Sequence, residues 1–598
     1  MHSLDLWPIG NCQVSALIDS SAAFVWACQP RVDGDPLFCS LLEPKRDPKP
    51  EIPAGEWRFI LVDQVSAVPT YLGNTPILST RLTDSRGGAV DVIDFCPKFE
   101  RSGRAYRPVA FIRIVTPVAG SPRLRILMNP SADAGAQDAT TTTGTNHIRF
   151  LVEPQVLRLT TDAPVSNVLD GRPFRLERTL NFFLGPDEPF SGDVAVELAK
   201  MLHQTSKHWR LWVRGLAIPL EWQDVVIRCA ITLKLCQHEE TGAIVAALTT
   251  SIPEHDGSQR NWDYRYCWIR DAYFTVQALN RLGALDVLES YLAYLRNIID
   301  GSEGGTIQPL YSVSGAARLD EMTAEGLAGY RGLGPVRIGN AAYGQNQHDA
   351  FGQIVLSSAQ AFFDRRLLRM ATQDDFHSLE KVGERAIQSF EQPDAGLWEF
   401  RTKNAVHTYS AAMCWAACDR LGKIARVLGL VDRAAYWNGE AKRIHTVISD
   451  RAYVRDGERF SATFGGDELD ASLLQLADLQ FLAPSDPRFQ QTLHAVERSL
   501  RRGQHMLRYA SEDDFGRPQT AFNFCTFWLI EALHLTGRSD EARDLYETML
   551  EQLTPAGLLS EDTDFDTGEL WGNYPQTYSL VGLINCAGIL SKPWSAVR

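Results

Sequence analysis

Acidic residues set in aromatic loops are the part of this sequence best suited to chemistry. Tryptophan, tyrosine, amide and acidic side chains are concentrated in the stretches 261–271, 340–349, 394–401, 507–514 and 557–564, the last leading into 568–576. Aromatic faces pack on the apolar C–H faces of a sugar ring, while amide and charged groups hydrogen-bond to its hydroxyls. Cleavage of a glycosidic bond also needs two carboxyl groups, one to protonate the leaving oxygen and one to act on the opposite face. These stretches therefore predict a carbohydrate site built around two carboxylates.

The local sequence alone does not choose those two carboxylates. Glu399 directly follows Trp398, and it is equally well interpreted as a loop acid paired with Arg401. Glu561 lies in a cluster of acids, and such a cluster is usually only a solvated loop. The neighbouring acids are Asp562, Asp564 and Glu569. At this level both assignments stay open.

The chain around these loops falls into two halves with different hydrophobic periods. The first half contains short runs of β-branched and aromatic residues separated by turn signals, for example at 24–27, 57–62 and 110–115. Many short strands without intervening helices predict an antiparallel β-sandwich over residues 1–193.

The pattern changes to a helical period at Val194. We interpret residues 194–222 as a helical linker, because 194–216 carries apolar residues at helical spacing. Residues 223–598 then contain twelve apolar-periodic segments interrupted by glycine-rich loops: 225–236, 272–282, 285–299, 350–363, 376–390, 410–428, 433–447, 473–481, 488–500, 526–535, 540–553 and 578–590. Twelve helices would make six pairs, which favours a closed double ring with the ligand loops gathered at one end.

Several long motifs occur in order along the chain. Ile9-Gly-Asn11 and the stretch 25–36 lie in the first half, and the second half carries Trp262-Asp-Tyr-Arg-Tyr-Cys-Trp-Ile-Arg-Asp271, Gly329-Tyr-Arg-Gly332, Val336-Arg-Ile-Gly-Asn340 and Gly396-Leu-Trp-Glu399. Together they resemble glycoside hydrolase family 15, the family of glucoamylases, bacterial glucodextranases and bacterial trehalases. The resemblance implies an N-terminal β-sandwich and a C-terminal (α/α)6 barrel that carries the catalytic residues.

The resemblance also implies which carboxylates act. Glu399 stands where the family has its catalytic acid, and Trp398 before it would bind substrate and help to keep the carboxyl protonated. Glu561 stands where the family has its catalytic base, with Asp562 as the alternative. Tyr343 takes the place of a bulkier aromatic residue, so the hydrogen-bond partner of the acid stays open.

Five more residues are implied to bind the sugar. Arg270 and Asp271 match the pair that holds the terminal glucose, although an ion pair at a helix start is an alternative that can coexist with this role. Arg508 resembles the second arginine of that subsite. Gln347 and Asp349 fall in a segment that contacts the sugar and supports the acid.

The overall composition limits the classes of partner. The chain is 44% hydrophobic and 22% charged, as in globular proteins, and its net charge of −14 argues against nucleic acid or an anionic membrane as the main partner. The sequence shows no secretory signal, no run of ~18 apolar residues, and eleven scattered cysteines, so we expect a cytoplasmic protein without transmembrane helices. The chemistry requires no metal or cofactor. The expected partner is a small α-glucoside, and homo-oligomer formation is left open.

These features together predict an exo-acting hydrolase that releases β-glucose from a small α-glucoside with inversion. Trehalose is favoured because the sequence lacks a secretion signal and a starch-binding segment and resembles the branch that contains trehalases. A glucoamylase or isomalto-oligosaccharide glucohydrolase is the alternative, and the segment 301–345 is expected to decide between them. Two other classes rank lower. A noncatalytic sugar-binding protein would need neither carboxylate, and in a phosphorylase Glu561 would repel the phosphate.

Overall fold

Strands and helices are segregated along the chain, as the two hydrophobic periods predict. The computed structural model of the protein describes residues 3–47, 53–153, 155–302 and 306–597. Residues 303–305, in the segment expected to decide specificity, lie outside the described residues.

The N-terminal strands form two antiparallel sheets. The first contains, in spatial order, Leu6–Gly10, Ser15–Asp19, Ala23–Gln29, Glu56–Leu61, Arg123–Asn129 and Phe174–Arg175, with Asp35–Phe38 also paired to Ala23–Gln29. The second contains Thr140–Thr143, His147–Val152, Gln155–Thr161, Leu180–Pro186, Phe111–Ala119, Ala89–Phe95, Leu78–Asp84 and Gln64–Tyr71. Two small ladders join Phe99–Arg101 to Arg104–Tyr106 and Ser131–Ala132 to Gln137–Asp138, and one short helix, Val165–Asp170 (α1), interrupts the strands. Inward-facing apolar residues of both sheets share one core, which confirms the predicted sandwich.

A long helix, Val194–Arg214 (α2), follows the sandwich. Its Leu198 packs with Ile77 and Phe95 of the second sheet, while its Trp209 packs with Ile231 at the start of the helical region. The helix thus contacts both halves of the chain. The division at residues 193 and 222 stays a prediction.

Twelve α-helices follow in the part of the chain that the structure describes, one at each predicted segment. They are Gln223–Leu235 (α3), Ile269–Arg281 (α4), Leu285–Gly301 (α5), Asp349–Ala359 (α6), Gln373–Ser389 (α7), Thr408–Val427 (α8), Val431–Arg451 (α9), Gln475–Asp478 (α10), Pro487–Leu500 (α11), Asn523–Leu535 (α12), Ser539–Leu550 (α13) and Thr577–Leu590 (α14). The even-numbered helices α4 to α14 contact one another in a closed ring, and the odd-numbered helices α3 to α13 pack around it. The predicted (α/α)6 barrel is therefore confirmed.

The position of α12 and α14 in the inner ring explains why they are among the most apolar helices. Helices α12 and α14 are buried on most of their faces, as expected for helices enclosed by others. Within the described residues, no helix combines the length and apolarity needed to cross a bilayer.

Short ladders position the loops at one end of the barrel. Cys267–Trp268 pairs with Leu310–Tyr311, and Met322–Thr323 pairs with Arg337–Ile338. A three-stranded ladder joins Ala521–Phe522, Asp562–Thr563 and Leu570–Trp571. Further ladders join Tyr453–Val454 to Arg459–Phe460 and Arg501–Arg502 to His505–Met506.

Candidate active site

The loops that precede the inner helices line one narrow cavity. Its volume is about 100 Å3, below the roughly 300–1,000 Å3 usual for small-molecule pockets. Six of the eight predicted site residues line it: Arg270, Asp271, Trp398, Glu399, Arg508 and Glu561. Gln347 and Asp349 do not line it but contact Arg270 from behind.

Glu399 reaches the cavity from a strained turn. Its φ of +59° lies in the left-handed region, which costs a non-glycine residue roughly 1–2 kcal/mol. The turn begins at Gly396, whose carbonyl accepts the Glu399 backbone N–H at 3.2 Å, and the side-chain amide of Gln345 donates to the Glu399 carbonyl at 3.2 Å. Strain of this kind is typical of positions where a functional side chain must be aimed.

Three N–H groups converge on the Glu399 carboxylate. Its Oε1 accepts hydrogen bonds from Trp268 Nε1 (2.6 Å), Arg270 Nη2 (2.9 Å) and Gln347 Nε2 (3.2 Å). These donors, one of them cationic, stabilise negative charge on the carboxylate. The sequence predicted that Trp398 would give the Glu399 carboxyl an apolar surrounding. This prediction is wrong, because the groups hydrogen-bonded to the carboxyl are N–H donors.

The Trp398 ring instead forms part of the cavity wall. Its Nε1 donates to Asp470 Oδ2 at 2.8 Å, and its ring lies 5.9 Å from that of Tyr509 and 6.0 Å from that of Phe522. Burial raises the pKa of Asp470 to about 6, although the hydrogen bonds that it accepts oppose the shift. This anchor holds the ring where a sugar face could pack on it.

Arg270 is buried and held by several partners. Its Nη1 donates to Gln347 Oε1 (2.7 Å) and to Asp349 Oδ2 (3.2 Å), and its Nε donates to the Tyr578 hydroxyl (2.8 Å). The residues behind the cavity thus fix the guanidinium that touches Glu399. Gln347 and Asp349 orient Arg270 in this structure and do not themselves face the cavity.

Asp271 follows Arg270 in the first turn of α4 and lines the cavity. The buried Arg270 forms ion pairs with Asp349 and Glu399 at the start of α4, and these pairs are compatible with a sugar-binding role. Burial raises the pKa of Asp271 to about 7, and the charge of Arg270 opposes the shift.

Glu561 lies in a more enclosed position than Glu399. It is 3% exposed, and its Oε1 accepts a hydrogen bond from the Tyr264 hydroxyl at 2.6 Å. Burial and the negative charge of Glu254 raise the pKa of Glu561, while the Tyr264 hydrogen bond opposes them. The Tyr264 ring contacts the Trp268 ring edge to face, with centroids 5.4 Å apart. One aromatic pair therefore connects the two candidate catalytic carboxylates.

Three carboxylates are gathered around Glu561. Oxygens of Glu254, Glu561 and Asp562 lie within 4.8 Å of one another, and among the described residues this is the one grouping of His, Cys, Asp or Glu that could hold a metal ion. Two guanidinium groups already supply positive charge there. Arg508 Nη1 donates to Glu254 Oε1 at 3.1 Å, and Arg260 Nε lies 3.8 Å from Glu254 Oε2. Arg508 lines the cavity, as predicted for a sugar ligand, but it is ion-paired with Glu254.

Asp562, the alternative base, is turned away from the cavity. It lies in the ladder between Phe522 and Trp571, and its Oδ1 accepts the Thr520 hydroxyl at 3.1 Å. It does not line the cavity, whereas Glu561 does. Burial raises the pKa of Asp562 well above its usual value, and the charges of its acidic neighbours add to the shift.

Among the residues that contact the site but were not identified as site residues from the sequence are Tyr264, Trp268, Glu254 and Asp470. The first two lie inside the motif 262–271, so their donor groups could have been considered there. Glu254 and Asp470 carry no such signal, since they lie outside the aromatic loops and reach their partners through the fold.

Tyr343 does not contact the candidate acid. Its hydroxyl donates to Asp320 Oδ1 at 2.9 Å. The aromatic hydrogen-bond partner of Glu399, which the sequence left open, is Trp268.

Comparison with known proteins agrees with this architecture. The sequence model of glycosyl hydrolases family 15 matches residues 222–588. The chain is 31% identical to a trehalase of Mycolicibacterium smegmatis, over 96% of this chain and 89% of that protein. It is 28% identical to a trehalase of Thermoplasma volcanium, over 98% of this chain and 93% of that protein.

A solved structure shares the whole fold. A bacterial glucoamylase in complex with acarbose superposes with a TM-score of 0.70, covering 98% of this chain and 94% of that chain at 14% identity. At such low identity this likeness supports the two-part architecture alone. The match over the barrel, together with the trehalase relatives that align over nearly the full chain, shows that this protein belongs to glycosyl hydrolases family 15 and is a glycoside hydrolase.

Proposed function

We propose that the protein hydrolyses a small α-glucoside with inversion, releasing β-glucose, and that trehalose is its preferred substrate. The observation that carries this proposal is that Glu399 and Glu561 face one narrow cavity, each hydrogen-bonded to one ring of the Tyr264–Trp268 pair. Inverting hydrolysis needs two carboxyl groups that leave room for a water between them, roughly 6.5–9.5 Å apart.

In this mechanism Glu399 is the general acid and Glu561 the general base. While water attacks the anomeric carbon, Glu561 takes a proton from that water. The bond from that carbon to the glycosidic oxygen breaks, and Glu399 gives its proton to this oxygen. Asp271, Arg508 and the Trp398 ring, which all line the cavity, would bind the terminal glucose.

Arg270 has two roles in this proposal. It would contact the glucose, and its Nη2 holds the Glu399 carboxylate at 2.9 Å. Asp349 would act through Arg270, whereas Gln347 would act both through Arg270 and by its own hydrogen bond to the Glu399 carboxylate at 3.2 Å.

The preference for trehalose is supported by the relatives. Proteins named trehalase align with nearly the whole chain at about 30% identity. A cavity of about 100 Å3 suits the end of a sugar chain and so supports exo-action.

A product assay tests the proposal. We expect kcat/KM to be higher for trehalose than for maltose, isomaltose or a long maltodextrin. A preference for isomaltose would remove trehalose but keep the hydrolase, and a preference for maltodextrin would contradict the small-substrate proposal.

Proton NMR recorded before mutarotation tests the inversion. Trehalose carries two α-linked rings, so inversion should first release equal amounts of β-glucose, from the attacked ring, and α-glucose, from the leaving ring. Retention would release α-glucose alone, and that result would contradict the mechanism.

A further inference from the structure

Hydrogen bonds fasten two loops together at the open side of the cavity. The carboxylate of Asp514 accepts the backbone N–H groups of Arg401 (2.6 Å) and Thr402 (3.3 Å), and it also accepts the Thr402 hydroxyl. The backbone just after Glu399 is thereby tied to the 512–516 loop.

The Arg401 side chain extends this connection to a third loop. Its Nη2 donates to Glu321 Oε2 at 2.9 Å, and Arg337 Nη1 donates to Glu321 Oε1 at 3.0 Å. Arg337 belongs to the Met322–Thr323/Arg337–Ile338 ladder. Asp514 thus holds the backbone of Arg401, and the side chain of Arg401 shares the Glu321 carboxylate with Arg337.

Two aromatic rings lie beside these contacts. The Arg401 guanidinium lies 4.1 Å and the Arg337 guanidinium 4.6 Å from the centroid of the Trp262 ring. The centroid of the Phe515 ring lies 5.3 Å from that of Trp262. Cation–π attraction between the guanidinium groups and Trp262 adds to the hydrogen bonds that hold these loops together.

We propose that this wall, formed by Trp262, Arg401, Asp514 and Phe515, limits the substrate to two sugar rings, with Arg401 as its specificity-determining residue. All four residues line the cavity together with the two candidate catalytic carboxylates. Arg401 and Phe515 are about one-third exposed, so they lie at the open side, whereas Arg270 and Arg508, proposed to hold the terminal glucose, are buried. The inference rests on the proposed function, since it places the leaving sugar against this wall.

The chemistry of the wall suits a leaving sugar. Trp262 and Phe515 offer ring faces for its C–H groups, and Arg401 offers N–H donors for its hydroxyls. On this proposal a third ring would meet the loops that Asp514 joins, so binding it would require the hydrogen bonds between Asp514 and the backbone of residues 401–402 to open.

The test compares substrate lengths in Arg401→Ala. We expect kcat/KM for maltoheptaose relative to trehalose to rise about tenfold over wild type. Hydrolysis of α-glucosyl fluoride, which has no second ring, is measured in each variant as the reference for the chemical step. Arg318→Ala is the matched control, because Arg318 is exposed, pairs with Asp320 and does not line the cavity. Its ratio should equal that of wild type.

Asp514→Asn provides a second variant that keeps the shape of the side chain while removing its charge. It should change the ratio in the same direction by a smaller factor. An unchanged ratio in both folded variants, or an equal loss on trehalose, maltoheptaose and the fluoride, would overturn the assignment. Wild-type protein that acts on none of the three would instead contradict the proposed function.

Discussion

The two candidate catalytic carboxylates lie in opposite electrostatic surroundings although they share one cavity. Glu399 is 24% exposed and contacts a guanidinium and two further N–H donors. Glu561 is almost fully buried beside Glu254 and Asp562, and its pKa is raised. The surroundings of Glu561 therefore raise its pKa, whereas the surroundings of Glu399 are hydrogen-bond donors.

This contrast has a consequence for the proposed mechanism. A general acid must hold its proton and a general base must lose its proton before the chemical step. Because the pKa of Glu561 is raised, substrate binding must favour the ionised form of Glu561 if this residue is the base. Variants on each side of the cavity separate the two roles, and loss of a carboxylate should have the largest effect.

Removal of either carboxylate should abolish most of the activity. We expect Glu399→Gln and Glu561→Gln to lower kcat on trehalose by roughly 10²–10⁴-fold, since each would remove one half of the acid–base pair. Asp566→Asn, at an exposed acid of the same loop as Glu561, should stay close to wild type. Circular dichroism would verify folding, and near-normal turnover in either glutamine variant would remove that residue from its role.

A substrate with a good leaving group should separate the two roles. Fluoride leaves without protonation, so Glu399→Gln should keep a large part of its activity on α-glucosyl fluoride, whereas Glu561→Gln should lose activity on it as on trehalose. Initial rates of fluoride release measure this. The reverse pattern would exchange the assignments.

Removal of the negative charge of Glu254 should shift the acidic limb of the pH profile, which Glu561 is proposed to control. In Glu254→Gln, one cause of the raised pKa of Glu561 is absent, so this carboxyl should ionise at lower pH. A base works only when ionised, and the acidic limb of kcat/KM should therefore shift to lower pH than in wild type. An unshifted limb would mean that Glu561 does not control it.

Tyr264→Phe should give a smaller shift in the opposite direction. The hydrogen bond from Tyr264 stabilises ionised Glu561, so its loss should move the acidic limb to higher pH and lower kcat/KM at neutral pH by roughly tenfold. The same experiment on Tyr343→Phe is the control, because that hydroxyl contacts Asp320 and not the site. A shift to lower pH in Tyr264→Phe would show that the hydrogen bond acts on the protonated form.

The fold was predictable because its signals are local and repeated. Each of the twelve predicted helical segments coincides with a helix, since an apolar stripe of helical period must be buried whatever its partner. The shortest, α10, has only one α-helical turn preceded by the 3-10 turn Ala471–Leu474. The closed ring itself followed from the count and from the family resemblance, not from any single segment.

Six of the eight site residues proposed from the sequence line the cavity, but their surroundings were not predictable. The sequence by itself determined the residue types, their order along the chain and the motifs that resemble the family, which singled out Glu399, Glu561 and Arg270. Only the tertiary structure decided which groups surround each of them. Trp398 is the neighbour of Glu399 in sequence, yet Trp268 and Arg270 are its neighbours in space. Glu254 reaches Arg508 across 254 positions of sequence. Such contacts fix the charge balance of a buried carboxylate, and they arise from the packing of the barrel, which no local pattern encodes.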